Sequence, residues 1–324
     1  MRVLITGGAG FLGRRLAERL LGDRRALAGL GELEHLRVVD LALARLPEDA
    51  RLEVRVSALE TEDELRAAVA DVDLVFHLAA VVSGAAEADF DLGMRVNLDL
   101  TRRLLEALRR TGGRPRLVFA SSIAVFGGAL PEVVTDATRL TPQTSYGTQK
   151  AIGELLIADY SRKGFIDGRS IRLPTITVRA GRPNRAASTF ASTIIRDPVA
   201  GREAICPVRP ETAMYVLSPQ RAVDAFIRAA TLPAEAWDPA RAVTLPGLTV
   251  TVREMVAALA RVAGAEVAAR LRFAPDPLIQ RIVDGWPQRF DAARARAMGF
   301  EADADFDAIV RAHLRHVGAA PARR

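Results

Sequence analysis

The feature that most restricts the fold of this chain is the alternation, over its first half, of short apolar runs with amphipathic helical patterns. The apolar runs have the length of buried strands and cover residues 2–6, 36–40, 52–56, 72–80, 116–122 and 170–176. Helical spacing follows the first run, where Leu12, Leu16 and Leu20 fall on one stripe. Strands that alternate with helices are joined by right-handed crossovers, so the pattern predicts a doubly wound α/β fold with a parallel sheet.

The alternation stops near residue 176. Further helical patterns, separated by short strands, cover residues 187–196, 219–231, 252–263 and 303–316. We find neither repeats nor a low-complexity linker that would separate two independent halves. We therefore expect a first domain over residues 1–176 and a smaller C-terminal α+β substrate lobe over residues 177–324. Some segments of that lobe can return to the first domain.

The composition is that of a globular protein that works in water. Hydrophobic residues make up 49% of the chain and charged residues 26%. No apolar run approaches the about 18 residues that span a bilayer, and the first ten residues do not form a signal peptide. The single cysteine, Cys206, excludes an intrachain disulfide and offers no metal cluster. We therefore expect a cytoplasmic location and no metal site.

The net charge of +6 raises the alternative of a nucleic-acid-binding protein. Basic residues are interleaved with Asp and Glu, however, and form no run of five or six like charges. No stripe of aromatic residues accompanies them. The distribution favours a solvated surface, with neither nucleic acid nor a membrane as a partner.

A glycine-rich turn joins the first predicted strand to the first predicted helix. The segment TGGAGFLG contains Gly7, Gly10 and Gly13. In a Rossmann-type domain such glycines allow a tight turn, the approach of a pyrophosphate to backbone N–H groups, and close packing of helix on strand. Asp40 ends the next strand, where a carboxylate binds the adenosine ribose hydroxyls and repels a 2′-phosphate. The sequence therefore predicts an NAD-binding Rossmann domain.

A scarce tyrosine and a scarce lysine form a second candidate site. Tyr146 and Lys150 stand four residues apart in SYGTQK, so one helix presents both side chains on the same face. Lys163 is the only other lysine in this arginine-rich chain. A phenol has a pKa of about 10 and is a poor base at neutral pH, but a neighbouring ammonium lowers that pKa. The pair predicts a tyrosine acid/base that is activated by a lysine.

These elements together resemble the extended short-chain dehydrogenase/reductases, which include NAD-dependent epimerases and dehydratases. The resemblance covers nearly the whole chain and rests on the order TGGAGFLG, Asp40, HLAA (77–80), Asn97, SSIAVFG (121–127) and YGTQK. It implies that Tyr146 is the general acid/base, that Lys150 activates it and binds the cofactor ribose, and that Ser122 polarises the substrate oxygen. It also implies that Asn97 positions a water in a proton relay. Ser121 is the alternative to Ser122, and the alternative role for Asn97 is to cap a helical turn.

The resemblance implies further contacts to the dinucleotide. In addition to the residues above, these are Phe11, Leu12, Leu78, Ala79, Ala80 and Pro174, with Asn97, Tyr146 and Lys150 also touching the cofactor. The acidic residue that binds adenine after the third strand is absent, so backbone near Leu59 is expected to replace it. Arg37 and Arg45 flank Asp40 and can weaken the preference for NAD over NADP. His77 is expected to be structural.

Departures from the epimerase pattern indicate a small substrate. The elements with which nucleotide-sugar epimerases grip a diphosphate are replaced by Leu173, AGRPN (180–184) and ETAMYVLSP (211–219). Residues 172–208 instead resemble family members that use NAD to oxidise the C2 hydroxyl of a four-carbon sugar acid. The implied partner of the substrate carboxylate is Arg182 or Arg185, beside Asn184, unless these arginines are plain surface residues. Ser83 is a further expected contact to a substrate hydroxyl, as are Ser122 and Tyr146.

The leading hypothesis from the sequence is an NAD-dependent dehydrogenase that oxidises the C2 hydroxyl of a small sugar acid to a 2-oxo acid. The alternative within the family is a sugar or nucleotide-sugar epimerase, which keeps its NAD tightly bound. A non-catalytic NAD-sensing regulator is the third hypothesis, although such proteins typically lose the Tyr–Lys pair. A homodimer through the predicted helices at 87–110 and 146–163 is implied by the family resemblance alone.

Overall fold

A computed structural model describes residues 1–179 and 187–318 of the chain. The strands are β1 (Arg2–Thr6), β2 (His35–Asp40), β3 (Leu52–Val56), β4 (Leu74–His77), β5 (Arg116–Ser122), β6 (Asp167–Leu173), β7 (Thr175–Ile176), β8 (Ala204–Cys206), β9 (Ala213–Leu217), β10 (Ala242–Thr244), β11 (Leu248–Thr251) and β12 (Leu271–Phe273). The helices are α1 (Phe11–Gly22), α2 (Glu62–Val69), α3 (Ser83–Ala88), α4 (Phe90–Gly93), α5 (Leu100–Thr111), α6 (Ser145–Arg162), α7 (Phe190–Val199), α8 (Pro219–Thr231), α9 (Val252–Ala263), α10 (Ala265–Ala268), α11 (Pro277–Asp284), α12 (Ala293–Ala297) and α13 (Phe306–Val317). A π-helical segment, Met94–Asp99, joins α4 to α5.

Seven parallel strands form the central sheet in the order β10–β6–β5–β4–β1–β2–β3. The chain moves outward from β1 to β3 on one side and from β4 to β6 on the other, so the strand order reverses between β1 and β4. In doubly wound sheets, ligands bind at such a reversal, beyond the carboxyl ends of the strands. The predicted Rossmann-type α/β fold is confirmed.

Different helices cover the two faces of this sheet because each buries one apolar stripe. On one face, Leu16 of α1 and Phe226 of α8 are fully buried in the largest apolar cluster. On the other face, Leu65 of α2, Leu104 of α5 and Ile157 of α6 are equally buried. Burial of side chains of this size stabilises the fold by about 1.5–3 kcal/mol each. The two helical layers therefore hold the strand ends in fixed positions.

The smaller lobe has its own core. Strands β7, β9 and β11 form a three-stranded sheet, β8 pairs with β12, and Ile194 of α7, Met255 of α9 and Ile309 of α13 are buried together beside them. Two segments beyond residue 176 nevertheless belong to the central sheet, because β10 pairs with β6 and α8 packs against β5 and β6. The boundary at residue 176 stays a prediction.

Pro174 marks the place where the chain leaves the central sheet. The strand predicted at 170–176 is in fact two strands, β6 and β7, because Pro174 has no N–H to donate to a continuing ladder. Leu173, at the end of β6, lies beside Ser122 of β5, whereas Thr175 of β7 pairs with Val216 of the lobe. The lobe therefore begins directly at the edge of the sheet where the candidate serine lies.

The long helix predicted at 87–110 is interrupted. Asp89 is extended, with φ of −135° and ψ of 92°, and its side chain accepts a hydrogen bond from the Leu92 N–H at 2.9 Å to start α4. The chain then widens into the π-helical segment before α5 begins. Such π segments frequently accompany functional sites. Here the wider turn carries Asn97, which is buried.

Three further features of the described residues concern membrane-spanning helices, metal-ligating side chains and the single cysteine. No helix in 1–179 or 187–318 combines the length and apolar character needed to cross a bilayer. Over the same ranges, no three His, Cys, Asp or Glu side chains gather as a metal site would require. Cys206 is buried in β8, where burial raises the pKa of its thiol.

Candidate active site

The turn between β1 and α1, residues 7–13, forms a glycine cradle. Side chains at Gly7 and Gly13 would collide with neighbouring backbone atoms. Gly7 has φ of +75°, and a Cβ atom there would lie 2.6 Å from the backbone nitrogen of Ala79. A Cβ atom on Gly13 would lie 2.2 Å from the Gly7 carbonyl oxygen. Gly10 precedes α1, whose first turn begins at Phe11 and has no side-chain cap. This arrangement fits the pyrophosphate of a dinucleotide, which binds to uncapped N–H groups at a helix start.

Asp40 lies beside this cradle at the end of β2. Its carboxylate accepts hydrogen bonds from the N–H groups of Ala9 at 3.0 Å and Ala42 at 3.3 Å. Arg37 is engaged elsewhere, because its guanidinium donates to Glu53 at 2.8 Å and to the Ala68 carbonyl at 2.7 Å. Asp40, and not Arg37, is therefore the charged side chain of β2 next to the glycine turn. A carboxylate in this position suits a ribose without a 2′-phosphate.

The other predicted dinucleotide contacts lie at the same edge of the sheet. Residues 78–80 follow β4 and are half-buried, with the Leu78 N–H bound to the Thr6 carbonyl at 3.1 Å. Pro174 follows β6 and is buried. Leu59 follows β3 with φ of +56°, and its N–H donates to the Ser57 hydroxyl at 3.0 Å. Leu12 lies in the first turn of α1. The roles of these residues toward the cofactor stay predictions.

The Tyr146–Lys150 pair lies on the first two turns of α6. Lys150 is 1% exposed, and its Nζ atom lies 5.7 Å from the centre of the Tyr146 ring and 4.5 Å from that of Phe119. Gly147 lets the helix approach the neighbouring loop, since a Cβ atom there would lie 2.2 Å from the Ala124 carbonyl oxygen. The phenol and the ammonium are thereby brought to the end of β5.

The adjacent serines at the end of β5 have different surroundings. Ser122 is half-buried, accepts a hydrogen bond from the Ala124 N–H at 3.1 Å, and lies beside the phenol of Tyr146, whose pKa it acts to lower. Ser121 is 1% exposed and donates its hydroxyl to Glu154. Strand alternation explains the difference, because successive side chains point to opposite faces. Ser122 is thus the serine that accompanies Tyr146.

Burial shifts the pKa values of the pair toward the neutral forms. It raises the pKa of Tyr146 to about 12, against which the hydrogen bond with Ser122 acts. It lowers the pKa of Lys150 to about 7, against which the negative charge of Glu154 acts. Before a ligand binds, the phenol is therefore protonated at neutral pH and the lysine titrates there. An additional positive charge beside the phenol favours the phenolate.

Asn97 bridges two parts of the site with its side-chain amide. The Oδ1 atom accepts a hydrogen bond from the Val81 N–H at 2.9 Å, and Nδ2 donates to the Val81 carbonyl at 3.2 Å and to Gln149 at 2.8 Å. The loop after β4 is thereby fixed to α6. A water-positioning role for Asn97 stays a prediction. Gln149 was not predicted, although its position three residues after Tyr146 on one helix face was a usable signal.

His77 joins the strand ends to α5. Its Nδ1 atom lies 2.7 Å from the Thr6 hydroxyl and its Nε2 atom 2.9 Å from the Thr101 hydroxyl. Burial, together with the positive charge of Lys150, lowers the pKa of His77 to about 3. The imidazole is therefore neutral, with both nitrogens within hydrogen-bond distance of hydroxyls, and its structural role stays a prediction.

A buried ion pair beneath the tyrosine and lysine was also absent from the sequence-based prediction. Glu154 is 3% exposed and accepts hydrogen bonds from Arg172 of β6 at 2.8 and 3.0 Å as well as from Ser121. Glu154 stands four residues after Lys150, so helical spacing carried a signal for it. The pair fixes α6 to β5 and β6, which end beside the site.

The predicted substrate contacts are described only in part. Ser83 begins α3 and is half-buried. Arg182, Asn184 and Arg185 lie outside the described residues. Their roles toward a substrate stay predictions.

Comparison with known proteins identifies the family. The pattern of the NAD dependent epimerase/dehydratase family matches residues 3–222, which include the glycine cradle and the Tyr146–Lys150 pair. The chain belongs to this family. In this NAD-dependent epimerase/dehydratase family member, NAD is the cofactor, and the cradle beside Asp40 fits it.

Relatives with high similarity extend over the full chain. A D-erythronate dehydrogenase of Cupriavidus necator is 53% identical over 324 residues, which are 99% of this chain and 100% of the relative. A D-erythronate dehydrogenase of Haemophilus influenzae is 42% identical over 98% of this chain and 99% of its own. The crystal structure of a nucleoside-diphosphate-sugar epimerase from Agrobacterium tumefaciens superimposes with a TM-score of 0.94 at 44% identity, over 99% of this chain and 95% of that one. The family match and the two D-erythronate dehydrogenases identify the chain as an NAD-dependent dehydrogenase.

Proposed function

We propose that the protein oxidises the C2 hydroxyl of D-erythronate to 2-oxo-tetronate (2-dehydro-D-erythronate). The observation that carries the proposal is the meeting of Tyr146, Lys150 and Ser122 at the end of β5, in a chain similar over its full length to two D-erythronate dehydrogenases. The absence of the diphosphate-gripping elements from the sequence supports a small acid over a nucleotide sugar.

Residues of this chain take up the proton that the C2 hydroxyl releases when it is oxidised. NAD, when bound in the cradle beside Asp40, would supply the acceptor for the hydride that leaves C2. The phenolate of Tyr146 takes the proton of the C2 hydroxyl, and the Ser122 hydroxyl donates a hydrogen bond to the same substrate oxygen. The ammonium of Lys150 stabilises the phenolate until it is protonated. The substrate thus loses one hydride and one proton, which leaves the 2-oxo acid.

We assign the carboxylate of the substrate to Arg182 or Arg185, with Asn184 and Ser83 near the remaining hydroxyls. A guanidinium binds a carboxylate with two parallel hydrogen bonds, which fixes the orientation of a small acid. The lobe begins directly after Pro174, so its described start at Thr175–Ile176 follows the strand end that pairs with Ser122, which supports this assignment.

A panel of sugar acids tests the substrate. We expect purified protein to form NADH fastest with D-erythronate and more slowly with four- to six-carbon acids of other stereochemistry, measured by absorbance in the presence of added NAD. A Tyr146→Phe variant is the control for background reduction. Inactivity with every 2-hydroxy acid, together with turnover of a nucleotide sugar, would show that the substrate is wrong.

A nucleotide-sugar epimerase is the second candidate, because the solved relative from Agrobacterium tumefaciens carries that name. An epimerase returns the hydride to its substrate, so it keeps NAD bound and forms no net NADH. Protein that is purified without NAD and produces one NADH for each sugar acid consumed excludes this candidate.

We also propose a homodimer formed through α6 and the α4–α5 region. Leu155 of α6 is 67% exposed and Phe90 of α4 is 60% exposed, and burial of such side chains drives association. Sedimentation should give twice the chain mass of 34.9 kDa. A Leu155→Arg variant should sediment as a monomer, whereas Leu278→Arg, at a site 63% exposed on α11, should not. A monomeric parent protein at micromolar concentration would contradict the proposal.

A further inference from the structure

Two arginines from different parts of the chain converge on the ring of Phe11. Phe11 is the first residue of α1, directly after the glycine cradle. The guanidinium carbon of Arg15, one turn further along α1, lies 5.0 Å from the centre of this ring. The guanidinium carbon of Arg179, which follows β7, lies 5.8 Å from the same centre. Cations at these distances are attracted to an aromatic face, so the ring holds both guanidiniums near the start of α1.

The lobe determines the position of Arg179. Its N–H donates to the Ser192 hydroxyl of α7 at 2.9 Å, and its carbonyl oxygen accepts a hydrogen bond from Arg196 at 3.4 Å. The main chain is therefore fixed to α7, while the side chain reaches the first helix of the Rossmann domain. Arg179 is a contact between the lobe and the cofactor cradle.

Neither guanidinium is paired with a carboxylate in the part of the chain that the structure describes. Burial and the charge of Arg196 both lower the pKa of Arg179. Burial also lowers the pKa of Arg15, and Glu18 opposes this only at a distance, since the contact of Glu18 is with Arg14 at 3.6 Å. The Nε atom of Arg15 is buried and has no hydrogen-bond partner among the described residues.

The remaining groups around these arginines do not supply the missing negative charge. Arg196 of α7 is neutralised by Asp197 at 2.8 Å. His313 of α13 is buried, and burial together with the charges of His316, Arg15 and Arg196 lowers its pKa to about 4. The histidine is therefore neutral. Two partly buried cations without a carboxylate partner form a site for an anion.

We propose that Arg179 and Arg15 bind the pyrophosphate of NAD, with Arg15 on the side of α1 and Arg179 on the side of the lobe. The pyrophosphate carries the two negative charges that this site lacks, and the start of α1 is where a dinucleotide fold places it. A guanidinium offers a planar pair of N–H donors to phosphate oxygens, and contact with Phe11 keeps each one preorganised.

A series of ligands tests the site without relying on turnover. Binding of adenosine, AMP, ADP, ADP-ribose and NADH would be measured by calorimetry with the parent protein and with Arg179→Met and Arg15→Met. Loss of a charge-assisted contact should raise the dissociation constants of ADP, ADP-ribose and NADH by about tenfold or more in each variant. The constant for adenosine should change less than about twofold.

The controls separate this role from a structural one. Arg19→Met is the matched control, because Arg19 lies on the same helix and is paired with Asp23 at 2.8 Å. Arg179→Lys keeps the charge without the planar donors and should give an intermediate affinity for NADH. If Arg15→Met does not fold, Arg179→Met and Arg179→Lys still decide the question.

Three results would overturn the proposal. The first is an unchanged affinity for NADH in the Arg179 variants. The second is an equal loss of affinity for adenosine and ADP, which would indicate general damage to the fold. The third is a raised KM for the sugar acid with unchanged NADH binding, which would assign Arg179 to the substrate carboxylate. The first two results do not depend on D-erythronate being the substrate, since the binding series contains no sugar acid.

Discussion

Replacement of Tyr146 by phenylalanine should lower kcat/KM for the sugar acid by about 10²–10⁴-fold, the range lost when a positioned acid/base is removed. The variant keeps the ring that lies 5.7 Å from the Lys150 ammonium and loses only the hydroxyl that takes the substrate proton. The affinity for NADH should therefore change little. Steady-state kinetics and NADH fluorescence measure the two quantities separately.

The matched control for this variant lies on the same helix. Tyr160 also belongs to α6, and its hydroxyl donates to Glu106, away from the end of β5. Tyr160→Phe should retain most of the activity. A Tyr146→Phe variant that turned over as fast as the parent would show that another group removes the proton.

Replacement of Lys150 by methionine should abolish most of the activity and at the same time stabilise the cofactor-free protein. The ammonium is needed to stabilise the phenolate, so we expect a loss of kcat of about 10²-fold or more. The same ammonium is buried without an ion-pair partner among the described residues, and burial lowers its pKa from the ordinary value of 10.5 to about 7. Methionine fills a similar volume without that desolvation cost.

The stabilisation should depend on pH in a definite direction. Between pH 7 and 10.5 the unfolded chain holds a proton on Lys150 that the folded chain has released, so this group makes stability rise with pH. Below this window the full cost of burying the charge is present, and above it none remains. The advantage of Lys150→Met should therefore be larger at pH 6 than at pH 9, as measured by denaturant unfolding of both proteins without NAD.

Two neighbours of Lys150, His77 and Glu154, are coupled to it electrostatically. The positive charge of Lys150 lowers the pKa of buried His77, and the negative charge of Glu154 raises that of Lys150.

Lys163 provides the matched control, because it is exposed just beyond the end of α6. Lys163→Met should change neither activity nor the pH dependence of stability. Equal stabilities of parent and Lys150→Met at pH 6 would refute the claim that the buried ammonium costs stability.

The sequence predicts the fold well because its signals are local. The strand before Gly7, the stripe of α1 and the end of β2 at Asp40 each follow from short-range periodicity and from the sterics of glycine. The interruption at Asp89 was missed, because a helical pattern continues through it while the side chain competes for the backbone N–H of Leu92. Pro174 is a residue at which a strand is expected to end. That the next strand, β7, joins the sheet of the lobe depends on its pairing with β9, which the local sequence does not specify.

The contacts of the candidate site also fall into two groups, those that the sequence predicts and those that it does not. Tyr146 and Lys150 are four residues apart, so helical spacing alone brings them together. The meeting of Arg179 with Phe11, and of Arg172 with Glu154, joins segments that are far apart in the chain. Such contacts depend on tertiary packing, which no local pattern specifies. In an arginine-rich chain, a single arginine also carries little compositional signal.

The return of β10 and α8 to the central sheet has a consequence for evolution and for protein engineering. A chimera that exchanges everything after residue 176 also exchanges an edge strand and a covering helix of the cofactor domain. Without β10, β6 would expose unpaired backbone groups, and without α8 the apolar surface under Phe226 would be uncovered. An exchange of the lobe in this protein therefore has to leave β10 and α8 in place with the central sheet that they complete, and alter only the segments that pack within the lobe.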